Sequence, residues 1–114
     1  MHTSLGSRVS LALGALLVSS FVAAQQKEIK VGVIYDLTGP FAAGGSEACH
    51  IGTKSVIDMF NERGGVEGYR IRAVYADAQS KTDVAINEAE RLLNREKVDM
   101  ILGVYSSEIG RAHV

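Results

Sequence analysis

Two short stretches hold the groups best suited to bind something, "DLTGPFAAGGS" at Asp36 to Ser46 and "YSSE" at Tyr105 to Glu108, while "DAQSKTD" from Asp77 reads as a turn. The backbone N–H groups of Gly44, Gly45 and Ser46 stand where a helix is expected to begin, a seat for a carboxylate or phosphate. The same composition also suits a plain strand-to-helix turn. Ser106 and Ser107 offer two hydroxyls and their backbone donors, as ligand contacts or as solvated turn residues. Asp77 occupies the place of a ribose-binding carboxylate in a dinucleotide fold.

Catalytic and cofactor chemistry find little support. "YDLTGPFAAGG" lacks the G-x-G-x-x-G spacing that lets a backbone approach a pyrophosphate, and no G-x-x-x-x-G-K-[ST] loop or H-E-x-x-H pair occurs. Cys49 is the only thiol, so no internal disulfide or zinc-binding Cys pair can form, and it reads as a small buried residue on a helix. His50 and His113 have no metal-spaced partner and read as solvated helix and tail positions. A nucleophile at Ser106 or Ser107 would need a histidine and an acid that nothing in the chain designates. No catalytic residue, metal or cofactor is therefore expected.

The elements that must position these loops follow from the apolar patterning. "IKVGVIY", Ile29 to Tyr35, is a β-branched run without polar alternation after Lys30, as in a strand covered on both faces. Ser46 and Glu47 then supply an N-cap and a first-turn acid. Ala48, Ile51, Gly52, Ser55, Val56, Met59 and Phe60 recur at three and four, predicting the packed face of a helix that ends at Gly64 or Gly65. "YRIRAVYA", Tyr69 to Ala76, alternates and reads as an edge strand with one wetter side. Thr82 is the expected N-cap of a second helix, with Ala85, Ala89, Leu92 and Leu93 inward and Glu88, Arg91 and Arg95 outward. "DMILGV", Asp99 to Val104, is a third strand.

This β-α-β-α-β order predicts an α/β fold, half of a doubly wound lobe whose parallel sheet places the first strand between the second and third. Ligands bind such sheets outside the carboxyl ends of the strands, where the strand order reverses. The first loop and the serine loop both open onto that point.

With 46% hydrophobic and 22% charged residues, the 114-residue chain has a globular composition. A formal charge of -1 and no basic patch exclude nucleic acid as a natural partner. The first 24 residues differ: His2 and Arg8 lead, Val9 to Val18 is apolar apart from Ser10 and Gly14, and no acid precedes Glu28. Together with "VAA" at Val22 to Ala24, this predicts a secretory signal peptide cleaved after Ala24, too short in its apolar core to span a bilayer.

The segments "IKVGVIYDLTGPFAAGGSE", "FNERGGVEGYRIRAVYAD" and "VDMILGVYSS", in that order and spacing, resemble the start of the leucine-binding-protein family. These are the periplasmic substrate-binding proteins of branched-chain amino-acid ABC transporters, and the resemblance covers Glu28 to Ser107. It implies a periplasmic-binding-protein-like I fold of two hinged lobes that close on an amino acid or similar small solute and present it to a membrane permease. It also implies that Ser107, with Ser106 beside it, donates to the ligand's α-carboxylate region. Phe41 and Gly44 would line the cleft wall, with Tyr105 nearby. Some members carry a Cys pair between the loop after the second strand and the serine loop, but "DAQSK" and "YSS" hold none. Some members also have an aromatic residue where this chain reads "AAGG". An extracellular ligand-sensing receptor domain shares the fold, and a secreted α/β enzyme is the more distant alternative.

Family members run to several hundred residues. Residues 25–107 are thus expected to be the N-terminal part of the first lobe, unable to bind ligand alone. The tail "EIGRAHV" puts Gly110 and Arg111 where an apolar helix face should begin. One frame of a widely used sequencing adapter, preceded by a G, translates to the same residues followed by a stop. Glu108 to Val114 is accordingly expected to be adapter-encoded, with the natural frame continuing past Ser107.

Overall fold

The computed structural model describes residues 27–107, so the expected signal peptide, 1–24, and the expected adapter-encoded tail, 108–114, lie outside the described residues. Within them the chain runs β1 (Glu28–Tyr35), α1 (Glu47–Glu62), β2 (Arg70–Asp77), α2 (Thr82–Asn94) and β3 (Met100–Gly103), with a wide π turn over Ala42–Ser46 that leads into α1. The sheet is parallel in the order β2-β1-β3, as the sequence predicts. Val33 of β1 pairs with Tyr75 on one side and Leu102 on the other.

Central placement explains the unbroken apolar run of β1, because alternate residues face two different layers. Ile34 packs with Ala76, Ala78, Val98 and the Ala85, Ala89 and Leu92 stripe of α2. Val31 and Val33 pack on the opposite face against Ile57 of α1. Leu93, expected inside, is 49% exposed, since Leu92 already fills the contact with the sheet. Glu88 and Arg91 pair on the outer side of α2, where Arg91 also reaches Glu96.

Helix α1 docks by a different face from the one its apolar spacing predicts. Ile51, Val56, Met59 and Phe60 are exposed, and Ile57 is the buried residue of the helix. The contact instead uses His50, Thr53, Ile57 and Asn61, spaced by three and four. His50 lies edge-on between the rings of Tyr35 and Tyr75, and Thr53 Oγ1 shares a 3.1 Å hydrogen bond with the Tyr35 hydroxyl. Asn61 spans β2 twice, accepting from Ile71 N–H and donating to Ile71 O, each at 2.8 Å. His50 is thus part of the packing and not a solvated residue. Cys49, expected buried, is exposed because it lies off this face. Val56 and Phe60 line an apolar cleft of about 230 Å³ with Met100 and Leu102 of β3.

The expected caps also differ. Ser46 is already helical and its side chain does not cap α1; the chain kinks at Gly45, φ 136°, just before it, and the Ser46 hydroxyl oxygen accepts from Asp36 N–H instead. At α2 the cap position falls on Lys81, which is extended and makes no side-chain cap bond, leaving Thr82 as the first helical residue. Gly64 and Gly65 close α1 as expected, with Gly65 N–H bonded to Phe60 O.

Candidate functional site

The carboxyl ends of β1 and β3 carry the two loops singled out by sequence, and hydrogen bonds between residues far apart in the chain join the first of them to the turn after β2 and to Tyr105. Asp77, the last residue of β2, accepts at Oδ1 from Leu37 N–H at 2.9 Å, Thr38 N–H at 3.2 Å and Gln79 N–H at 2.8 Å. Its Oδ2 accepts from the Thr38 hydroxyl at 2.7 Å. Burial disfavours the charged form, but the bonds from the Thr38 hydroxyl and from the Gln79, Leu37 and Thr38 amides outweigh it and hold the carboxyl below its ordinary value. Asp77 therefore ties the first loop to β2, a structural use of the residue that a dinucleotide fold would spend on a ribose.

Ser80 extends the same tie. Its hydroxyl accepts from Phe41 N–H at 3.0 Å and donates to Thr38 O at 3.2 Å, while Ser80 N–H donates to Asp36 Oδ1 at 2.7 Å. Left-handed φ values of 54° at Gln79 and 56° at Ser80 aim these groups. Asp36 and Ser46, both fully buried, complete the link: Asp36 N–H donates to Ser46 Oγ at 2.7 Å. Asp36 Oδ2 is buried without a hydrogen-bond partner.

The anion seat expected at the start of α1 is partly taken up by the backbone. Ser46 N–H bonds to Phe41 O, and Glu47 N–H to Ala42 O, so the wide turn satisfies donors that a free helix end would offer.

Strand β3 leaves the sheet sharply. Gly103 has φ 126°, and a Cβ there would lie 2.1 Å from Ile34 O, so the backbone of β3 passes too close to β1 for any side chain. Val104 follows at φ 55°, its N–H bonded to the same Ile34 oxygen at 2.9 Å. This double turn sends Tyr105 toward the first loop, where its hydroxyl donates to Gly44 O at 2.7 Å.

Of the five predicted site residues, Tyr105 and Gly44 are thus in direct contact. Phe41 lies in the same loop, anchored through its amide to Ser80, and Ser106 and Ser107 follow directly on Tyr105. The Tyr105–Gly44 bond joins the ends of β1 and β3, whereas the Phe41 amide is tied to Ser80 beyond β2. Sequence reasoning missed the structural roles of Asp36, Ser46, Asp77 and Ser80. Their only signal was short polar residues flanking strand ends, which suits a turn as well as a tie. Among the described residues no group of three His, Cys, Asp or Glu could hold a metal ion, and no helix is long and apolar enough to cross a membrane.

A parallel sheet in the order β2-β1-β3, with its carboxyl-end loops cross-tied, is part of a doubly wound α/β lobe. The chain belongs to the periplasmic binding protein family, whose model matches residues 28–113. The "Leu/Ile/Val-binding protein homolog 7" of Brucella suis biovar 1 (strain 1330) is 38% identical over 104 residues, covering 91% of this chain and 25% of its own length. The branched-chain amino acid transporter substrate-binding protein LivJ of Streptococcus pneumoniae, solved with isoleucine, superposes with a TM-score of 0.73 at 31% identity, over 77% of this chain and 25% of that one. A solute-binding protein from R. palustris in complex with 4-hydroxybenzoate gives a TM-score of 0.59 at 32% identity, over 75% of this chain and 23% of that one. The chain spans about a quarter of the length of the curated relatives it matches. The relatives it matches include Leu/Ile/Val-binding protein homologues and substrate-binding proteins of branched-chain amino acid and ABC transporters, which bears out the resemblance to the leucine-binding-protein family read from the sequence.

Proposed function

We propose that this chain is the N-terminal part of an exported solute-binding protein that captures an amino acid, branched-chain or related, and delivers it to the membrane permease of an ABC transporter. The observation that supports the reading is the bond from the Tyr105 hydroxyl to Gly44 O, which joins the loop after β1 to the exit of β3 at the strand-order reversal, in a chain of the periplasmic binding protein family. Ser107 and Ser106 donate to the ligand's carboxylate, and Phe41, Gly44 and Tyr105 form the wall of this half of the cleft. The facing half comes from a second lobe. Export follows from residues 1–24, cleaved after Ala24. The chain acts as part of a binding module and not as an enzyme, in keeping with its family.

Calorimetric titration of the full-length protein tests this with L-leucine, L-isoleucine, L-valine and 4-hydroxybenzoate. Saturable binding of one of the amino acids supports the proposal. Binding of 4-hydroxybenzoate alone, or of none of the four, overturns the amino-acid reading. With an amino acid bound, Ser107→Ala should weaken affinity by about 1 to 3 kcal/mol, the cost of leaving a buried ligand group unpaired. Unchanged affinity would remove Ser107 from the site.

A further inference from the structure

The loop from Asp36 to Ser46 is held at its two ends by one set of partners and in its middle by another. Leu37, Thr38 and Phe41 are fixed by Asp77 and Ser80, and Ser46 is fixed by Asp36. Between these anchors the turn Ala42–Ser46 projects toward β3, where its Gly44 carbonyl accepts from the Tyr105 hydroxyl. The ring of the same tyrosine covers Gly45, where a Cβ would stand 2.9 Å from the hydroxyl oxygen and 3.0 Å from ring atom Cε2. Gly45 has φ 136°, so the turn is shaped to accept the ring.

The chain accepts strain to put Tyr105 there. Val104 holds φ 55°, a conformation that β-branched residues avoid, and this kink carries the tyrosine back over the turn. Because the hydroxyl proton is committed to Gly44, Tyr105 is not available as a donor to a ligand.

We propose that Tyr105 is a positioning residue: its bond to Gly44 and its ring over Gly45 clamp the Ala42–Ser46 turn to the exit of β3 and set the spacing of the two crevice walls before ligand arrives. The consequence for ligand rests on the amino-acid-binding reading above, whereas the clamp itself does not. A wall held in its bound position loses less conformational freedom on binding, which raises affinity without adding a contact.

The test compares the full-length protein with Tyr105→Phe, which deletes only the hydroxyl, and with Tyr105→Ala, which also deletes the ring. Hydrogen–deuterium exchange without ligand should quicken about fivefold across Ala43–Ser46 in Tyr105→Phe and more in Tyr105→Ala, with β1 and β2 unchanged. Affinity for L-leucine and L-isoleucine should fall by a similar factor for both ligands, while the thermal midpoint stays at the wild-type value. Wild-type exchange of the turn in both variants overturns the clamp. So does faster exchange spread over the whole sheet with a lowered midpoint, the signature of general destabilisation. If the unmodified protein binds neither amino acid, the reading of its function fails, and the exchange comparison alone decides the clamp.

Discussion

Thr38 and Asp77, 39 residues apart in sequence, meet through a 2.7 Å hydrogen bond from the Thr38 hydroxyl to Asp77 Oδ2. The carboxylate gathers three backbone amides as well, so it holds the whole entry of the first loop. Asp77→Ala should cost about 1 to 2 kcal/mol in the full-length protein, since solvent takes over part of what this partly exposed group provides. The folded-state value of Asp77 is depressed, so its contribution is fully present above its ordinary value of 3.8 and is lost as pH falls through the lower folded value. Urea midpoints of wild type and Asp77→Ala should therefore differ at pH 6 and converge below pH 3.8. A constant difference across that range would show that the carboxylate's charge is not what matters.

Ser46→Ala should destabilise the protein by about 1 to 3 kcal/mol, because the buried Asp36 N–H would lose its acceptor in a place water does not reach. Ser46→Thr keeps the oxygen and should recover part of the loss. Denaturant unfolding of the two variants separates these outcomes, and equal losses would point to crowding around the side chain and not to the hydrogen bond.

Helix α1 supplies a contrast between an apolar residue that looks structural and a polar one that is. Asn61→Ala removes both bonds to Ile71 and should cost about 1 to 3 kcal/mol. Ile51→Ser, on a position 56% exposed, should stay within about 0.5 kcal/mol of wild type. A larger loss at Ile51 than at Asn61 would mean that the apolar stripe of α1 is covered in the full-length protein.

That contrast also marks what the sequence makes legible. Strand order and the switch point follow from local signals: the unbroken run of β1, the alternation of β2 and the Ala85, Ala89, Leu92 spacing of α2 each name their own environment. The inner face of α1 does not, because it docks through a histidine between two tyrosine rings, a threonine and an asparagine, and apolar periodicity cannot see polar side chains that are satisfied by a neighbour. Tyr105 and Gly44 could be expected near one another because the loops that hold them follow neighbouring strands, β3 and β1. The ties among the loops could not be read off, since Asp77 to Thr38, Ser80 to Asp36 and Tyr105 to Gly44 link positions 39, 44 and 61 residues apart that no single segment encodes.

Two glycines of the crevice should respond oppositely to the same small change. At Gly103 an added methyl would meet Ile34 O at 2.1 Å on a backbone already at φ 126°, and backbone oxygen cannot swing aside as a side chain can. Gly103→Ala should therefore cost at least about 3 kcal/mol and break the 2.9 Å bond from Val104 N–H to Ile34 O that turns β3 toward the site. At Gly44 a Cβ would have no neighbour within 4 Å, and the carbonyl that Tyr105 uses is kept. Gly44→Ala should be neutral or stabilise by up to about 1 kcal/mol, through the unfolded chain's lost freedom. Thermal unfolding ranks the pair directly: if Gly44→Ala proves the more damaging, the turn must move to a conformation that only glycine can reach, and the fixed crevice wall described above would have to be abandoned.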